Sequence, residues 1–243
     1  MFDNHLSEPL MMAAPIIFIA YLVRGICGFG SGLIAIPVLS LMFPLPVAVP
    51  LVVMLDYLAS AGQGVSLRLS IQWSEVGRLI VPALIGVSAG LVIFHRVDAE
   101  LLTRFLGGFV VLYALYALWG PEMPRASSWW ALPAAVSGGA IGTLFGTGGP
   151  FYVSYLKARQ LDKTVFRATF ACIFILDGAA RVTGYVSTSV VDIQLLVLLA
   201  MSLPVMILGM YLGGKIHTSL SAEVFTRAIS VLLLVSGASL MLR

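Results

Sequence analysis

Charge is what this sequence has least of. Only 10% of its 243 residues are charged, against 60% apolar, and the mean hydropathy is +1.03. No soluble domain of this size needs so much apolar sequence. Histidine is scarce too, with three copies and no HExxH helix. The two cysteines, Cys27 and Cys172, lie in apolar segments and build neither a disulfide framework nor a four-ligand zinc set. They read as small buried hydrophobes. No metal and no cofactor are expected. The first ten residues, MFDNHLSEPL, lack a basic n-region, so a cleaved signal peptide is not expected. No polar stretch is long enough for an extramembrane domain. The net charge of +3 then concerns membrane topology, and nucleic acid is not an expected partner.

What the chain does have is apolar runs. Several approach or exceed the roughly 18–20 residues that cross a bilayer as helix. The expected class is an all-α polytopic membrane protein, with the lipid bilayer as its surroundings. Spanning helices are expected over 47–65, 79–94, 101–119, 168–186, 193–212 and 224–242. The run 9–23 is too short to span comfortably. Polar loops are expected at 68–78, 95–100, 120–128, 157–167 and 215–223. Trp119, Trp129 and Trp130 read as interfacial anchors.

Two glycine-rich stretches interrupt this pattern. Arg24 to Leu39 reads RGICGFGSGLIAIPVL, and Gly138 to Pro150 reads GGAIGTLFGTGGP. Their shared core is Phe29-Gly30-Ser31-Gly32 against Phe145-Gly146-Thr147-Gly148. Glycine runs are poor helix formers. A helix broken in a membrane is tolerated only where the break is buried in protein or lines an aqueous cavity. The two breaks are therefore expected to wall one site.

The rest of the chain repeats around them. Met54-Leu55-Asp56 matches Ile175-Leu176-Asp177, and Pro82 matches Pro204. Gly86 and Gly90 match Gly209 and Gly213. Ala99-Glu100 and Thr103-Arg104 match Ala222-Glu223 and Thr226-Arg227. This order indicates an internal duplication, with residues 1–125 and 126–243 as the two repeats of one transmembrane transporter domain. Equivalent loops carry opposite charge bias. The loop 43–46 is uncharged, whereas 157–167 carries Lys157, Arg159, Lys163 and Arg167. The loop 68–78 has two arginines, whereas 187–192 has no basic residue. By the positive-inside rule the repeats are inverted. The expected plan is two inverted repeats. Each would hold a broken, re-entrant glycine-rich helical hairpin plus three transmembrane helices, a recurrent transporter plan.

The expected site residues follow from that plan. The half-helix after each break presents free N–H groups and a positive dipole end, which favour an anion. This nominates Gly30, Ser31 and Gly32 in the first repeat and Gly146, Thr147, Gly148 and Gly149 in the second. Ser31 and Thr147 add hydroxyl donors; the alternative is that the glycines only serve close helix packing. Arg24 and Arg181 could hold an oxyanion with a planar donor fork, or else pair with an acid. Asp56 and Asp177, at matched mid-helix positions, are candidates for proton or cation coupling or for a structural ion pair. The Asp177–Arg181 spacing puts both on one helix face. Arg104 and Arg227 read as interface anchors beside Glu100 and Glu223, and His95 and His217 fall in loops. A serine in a glycine-rich setting suits a nucleophile, but no histidine lies at mid-depth to serve as base, so an enzyme is not expected.

At the glycine segments the chain resembles the TauE/SafE family of sulfite and organosulfonate exporters, the TSUP permeases. The family pattern of a glycine-rich run, an apolar stretch and Pro-x-Leu is met by Gly28-Phe29-Gly30-Ser31-Gly32 and then 33–39 with Pro37. The second copy is similar at Gly142 and from Gly146 to Pro150. The resemblance covers nearly the whole chain; at Ser31 many relatives have glycine. It implies a secondary transporter, an exporter of small sulfur-containing anions such as sulfite or sulfoacetate across the cytoplasmic (inner) membrane. The residues themselves support a small anion held at the repeat interface. A passive anion channel and a non-transporting membrane scaffold remain alternatives, and the small-residue helix faces would suit a homodimer.

Overall fold

The computed structural model describes residues 7–119, 127–215 and 222–242, and these are all helical or in short connections. Ten α-helices follow in order: α1 Ser7–Cys27, α2 Ser31–Leu39, α3 Leu45–Leu67, α4 Trp73–Arg96, α5 Ala99–Trp119, α6 Ala131–Phe145, α7 Gly149–Ala158, α8 Lys163–Ser187, α9 Ile193–Lys215 and α10 Ala222–Met241. Short 3-10 turns at Arg68–Ser70 and Ser128–Trp130 lead into α4 and α6. Residues 45–62 of α3, and α4, α5 and α9 whole, are long and apolar enough to cross a membrane. By contrast α2 and α7, with 9 and 10 residues, reach only about half of a hydrocarbon core of about 30 Å.

Several boundaries differ from the sequence expectation. The first helix does not stop at Val23 but runs through Arg24 to Cys27, giving it 21 residues. A basic residue in the last turn suits the negative end of the helix dipole. The polar stretches are also shorter than hydropathy implies. Trp73 to Arg78 is already the start of α4, with Glu75 in the first turn, where an acid is favoured. His95 and Arg96 close the same helix. Lys157 lies in the last turn of α7, and α8 begins at Lys163, leaving 159–162 as the connection. His217 lies outside the described residues.

The helices form two compact units, each drawing on both halves of the sequence. The first consists of Met1–Val52, Asp98–Pro121 and Asp192–Arg243. Within it α1 packs along α9, α5 along α10, and α2 against α1, α5 and α10. Glycines set the α1–α9 distance. A Cβ at Gly25 would lie 2.6 Å from the Met210 carbonyl oxygen, one at Gly209 2.8 Å from that of Phe18, and one at Gly213 would overlap that of Leu22. Gly107 and Gly237 do the same for α5 and α10, at 2.7 and 2.8 Å. In lipid, such close van der Waals packing takes over from the hydrophobic effect as the force between helices.

The second unit consists of Val53–Val97 and Glu122–Val191. Here α4 packs along α6 and α8, and α7 lies against α6 and α8. A side chain at Gly86 or Gly139 would overlap the backbone carbonyls of Val136 or Ala83, and one at Gly90 would lie 2.8 Å from the Thr143 Cβ. The small-residue faces at Gly86, Gly90, Gly209 and Gly213 are thus filled by the chain's own helices, so a homodimer would need another surface. The outward faces are apolar: Val81 and Ile85 of α4, Phe105 and Leu112 of α5, and Ile207 and Tyr211 of α9 are all exposed. Trp119, Trp129 and Trp130 are exposed near helix ends, as interfacial anchors would be.

Candidate functional site

The first break lies in the first unit, over residues 28–30. Gly28 and Gly30 have φ of +86° and +100°, a left-handed region in which a side chain would be strained. This turns the chain out of α1 and into α2, whose first residue is Ser31. The Arg24 guanidinium reaches across the break and donates a 3.0 Å hydrogen bond from Nη1 to Ser31 Oγ. Both side chains are buried, with Arg24 2% exposed. Gly32 is buried in the first turn of α2. Three of the nominated groups, Arg24, Gly30 and Ser31, are thereby brought together.

The second break, Gly146–Thr147–Gly148, lies in the second unit and is built differently. Gly146 ends α6 in the left-handed conformation, φ +62°, and its N–H returns to the Gly142 carbonyl at 2.9 Å. The next helix begins at Gly149, two residues later than the alignment with Ser31 implies. Thr147 therefore sits in the break itself. Its side chain is 2% exposed, and its hydroxyl has no hydrogen-bond partner among the described residues. Burying a hydroxyl is costly unless it is hydrogen-bonded. At this point α7 directs its positive dipole end, although Pro150 has no N–H to offer and the Phe151 N–H donates to the Gly148 carbonyl at 3.3 Å.

Arg181 of α8 fills the space behind the break. Its guanidinium presses on Gly142, where a Cβ would overlap it, and Gly148, where a Cβ would lie 3.1 Å from Nη2. The same nitrogen donates to Asp177, the predicted i,i+4 partner, and to the Gly138 carbonyl at 3.4 Å. Asp177 is fully buried and Arg181 is 3% exposed. Around the pair stand two tyrosines that the sequence reading did not single out. Tyr152 of α7 adjoins both charges and packs its ring on Gly138. Tyr185 of α8 donates to the Thr143 carbonyl. Their only sequence signal is a phenol in an apolar segment, which needs a partner when buried.

The remaining candidates are placed as follows. Asp56 is buried along α3 in the second unit. Gly149 opens α7 against the rings of Phe174 and Phe170, at 3.5 and 3.9 Å from the position of a Cβ. Arg104 pairs with Glu100 at 2.6 Å, but both are exposed, so the pair adds little stability. The side chains of Glu223 and Arg227 fall outside the described residues. No group of three metal-ligating residues occurs among the described residues.

Comparison with known proteins accounts for this architecture. The family model "Sulfite exporter TauE/SafE" matches residues 13–240. A probable inner membrane transporter protein, TsaS, from Comamonas testosteroni is 25% identical over 198 residues, which is 78% of this chain and 81% of the relative. A probable sulfite/organosulfonate exporter, TauE, from Cupriavidus necator is 27% identical over 224 residues, which is 89% of this chain and 88% of the relative. No solved structure matches the chain. A match over nearly the whole length, on an all-helical chain with helices long and apolar enough to span a bilayer, identifies it as a multi-pass membrane protein of the TauE/SafE sulfite exporter family, whose members are transporters and not enzymes.

Proposed function

We propose that this protein exports a small sulfur oxyanion, sulfite or an organosulfonate, across the cytoplasmic membrane. The broken helices supply the anion-binding groups: Gly30, Ser31 and Gly32 with Arg24, and Gly146, Thr147, Gly148 and Gly149 with Arg181. The observation that carries the reading is the Thr147 hydroxyl, buried in the break before α7 without a partner among the described residues and beside glycines that admit the Arg181 guanidinium. An oxyanion there would accept a hydrogen bond from the Thr147 hydroxyl and face the positive dipole end of α7. Asp177 keeps Arg181 oriented and balances its charge, so the site stays close to neutral until an anion enters.

The inverted-repeat plan is supported by the course of two matched helices. The 3-10 turn that follows α3 lies against α8, and Gln72 N–H donates to Thr169 Oγ1 near the start of α8 at 3.0 Å. Farther back along α3, Tyr57 packs on Gly178, farther forward along α8. The sequence-equivalent helices α3 and α8 therefore run antiparallel. Rocking of one repeat against the other is the mode of alternating access that such a plan uses. Asp56 and Asp177 are the coupling candidates.

The test is ligand-induced thermal stabilisation of the purified protein by sulfite, sulfoacetate, taurine, sulfate and chloride. Binding at a hundred times the dissociation constant stabilises by about 2.7 kcal/mol. A shift with sulfite or one sulfonate, reduced in both Ser31→Ala and Thr147→Ala, is the expected result. No shift with any of the five would leave the anion reading without support.

A further inference from the structure

Away from the break, the second unit also buries Glu75. Glu75, in the first turn of α4, has a side chain 3% exposed. Its Oε1 accepts from Arg78 Nη1 at 2.6 Å and from Arg159 Nε at 3.2 Å, and its Oε2 accepts from the Tyr155 hydroxyl at 2.6 Å. Tyr155 and Arg159 stand at the C-terminal end of α7, 80 and 84 residues away in sequence. The cluster ties the end of α7 to the start of α4.

The mechanical setting of α7 gives this tie its meaning. At 10 residues, α7 is shorter than the roughly 12–15 below which an isolated helix is marginal, so its placement depends on its packing against α6 and α8 and on what holds its ends. Its N-terminal end is the glycine break, Gly146 to Gly149, where Gly149 faces the Phe170 and Phe174 rings and Gly148 lies against the Gly138 carbonyl. Its C-terminal end is held by directional, charge-assisted bonds. A buried ion pair is weak evidence for stability and is better attested as a switching or register device. The other half-helix differs. From Ser31 to Pro46 the chain carries no ionisable residue, so the end of α2 can offer no charged tie. The basic stretches 68–78 and 157–167, which meet at Glu75, belong on the cytoplasmic side by the positive-inside rule.

We propose that Glu75, Tyr155 and Arg159 form the cytoplasmic clamp of α7, a positioning device. Closed, it fixes the half-helix that carries Thr147. Released, it lets α7 pivot at the glycine break and admit the anion from the cytoplasm. The clamp deepens the exporter reading and rests on it. It assigns Glu75 and Tyr155 to the rate of loading and not to contact with the anion.

Two measurements on the full chain test it. In a Cys27→Ala, Cys172→Ala background, Ala158→Cys places a thiol on the last residue of α7, a site 5% exposed. Tyr155→Phe and Glu75→Gln should speed its labelling by a maleimide by about tenfold or more, as loss of one charge-assisted bond implies. Arg159→Lys should label more slowly than Arg159→Ala. In proteoliposomes, Tyr155→Phe should raise the initial rate of sulfite efflux severalfold while the sulfite Kd stays within about twofold. Unchanged labelling would overturn the clamp, and so would a sulfite Kd that rises while the melting temperature and the rate fall together. The labelling needs no ligand. A wild type that fails to bind sulfite while the labelling still responds would sink the anion reading and spare the clamp.

Discussion

Replacing Thr147 by valine should make the resting protein more stable and leave it unable to answer its anion. The Thr147 hydroxyl is buried and lacks a hydrogen-bond partner among the described residues. Removing such a group relieves a desolvation penalty of about 1–3 kcal/mol. The methyl that takes its place adds about 0.8 kcal/mol of apolar burial. The sum is a gain of about 2–4 kcal/mol. At roughly 2–4 °C per kcal/mol for a chain of this size, the melting temperature should rise by about 4–16 °C. Thr143 provides the control. It is equally buried, but its hydroxyl donates to the Gly139 carbonyl at 2.8 Å. Thr143→Val forfeits a net hydrogen bond of about 1 kcal/mol and gains a similar methyl term, so its melting temperature should stay within about 2 °C. The assay is thermal unfolding in detergent, with and without sulfite. The expected pattern is Thr147→Val raised and unresponsive, Thr143→Val unmoved and responsive. A Thr147→Val protein no more stable than wild type and still stabilised by sulfite would refute the reasoning.

Other substitutions probe the same site from different sides. Gly142→Ala puts a methyl group into the Arg181 guanidinium; overpacking should cost about 1–3 kcal/mol and abolish the sulfite-induced shift, read in the same thermal assay. Asp177→Asn leaves Arg181 buried without its counter-charge and should cost about 3–5 kcal/mol, whereas Asp177→Leu with Arg181→Met should recover most of that stability without recovering transport. Gly213→Val overlaps the Leu22 carbonyl across α1 and α9, and Gly86→Val does the same to Val136 across α4 and α6; each should lower the yield of folded protein on gel filtration, while Gly108→Val, where the space is open, should not.

The parts that were legible in the sequence are those that depend on local pattern. Glycine clusters inside apolar runs announce broken helices or close helix packing, and both occur here: residues 28–30 and 146–148 break the chain, whereas Gly138, Gly139 and Gly142 lie within α6. The i,i+4 spacing of Asp177 and Arg181 announces their pairing, because a helix fixes which residues are neighbours. Partners across the fold were hidden. The Gly86/Gly90 and Gly209/Gly213 faces show that something packs closely, but not that α6 covers one pair and α1 the other. Glu75 and Arg78 look like loop residues by hydropathy, because the partners that bury Glu75 come from α7. The alignment equates Ser31 with Thr147, yet the second helix restarts two residues later, which leaves Thr147 in the break and Ser31 on the helix. A two-residue register difference of this kind is set by where Gly148 can approach Gly138, a contact that composition does not encode.

The central claim is that the broken-helix ends carry a sulfur oxyanion through the membrane. Its most direct test is efflux of radiolabelled sulfite from proteoliposomes holding the purified protein, with Thr147→Val beside wild type and chloride and sulfate as competitors. The account predicts saturable efflux by wild type, and its loss in a Thr147→Val protein that is folded and more stable. Efflux indistinguishable from empty liposomes in wild type, or undiminished efflux in Thr147→Val, would contradict it.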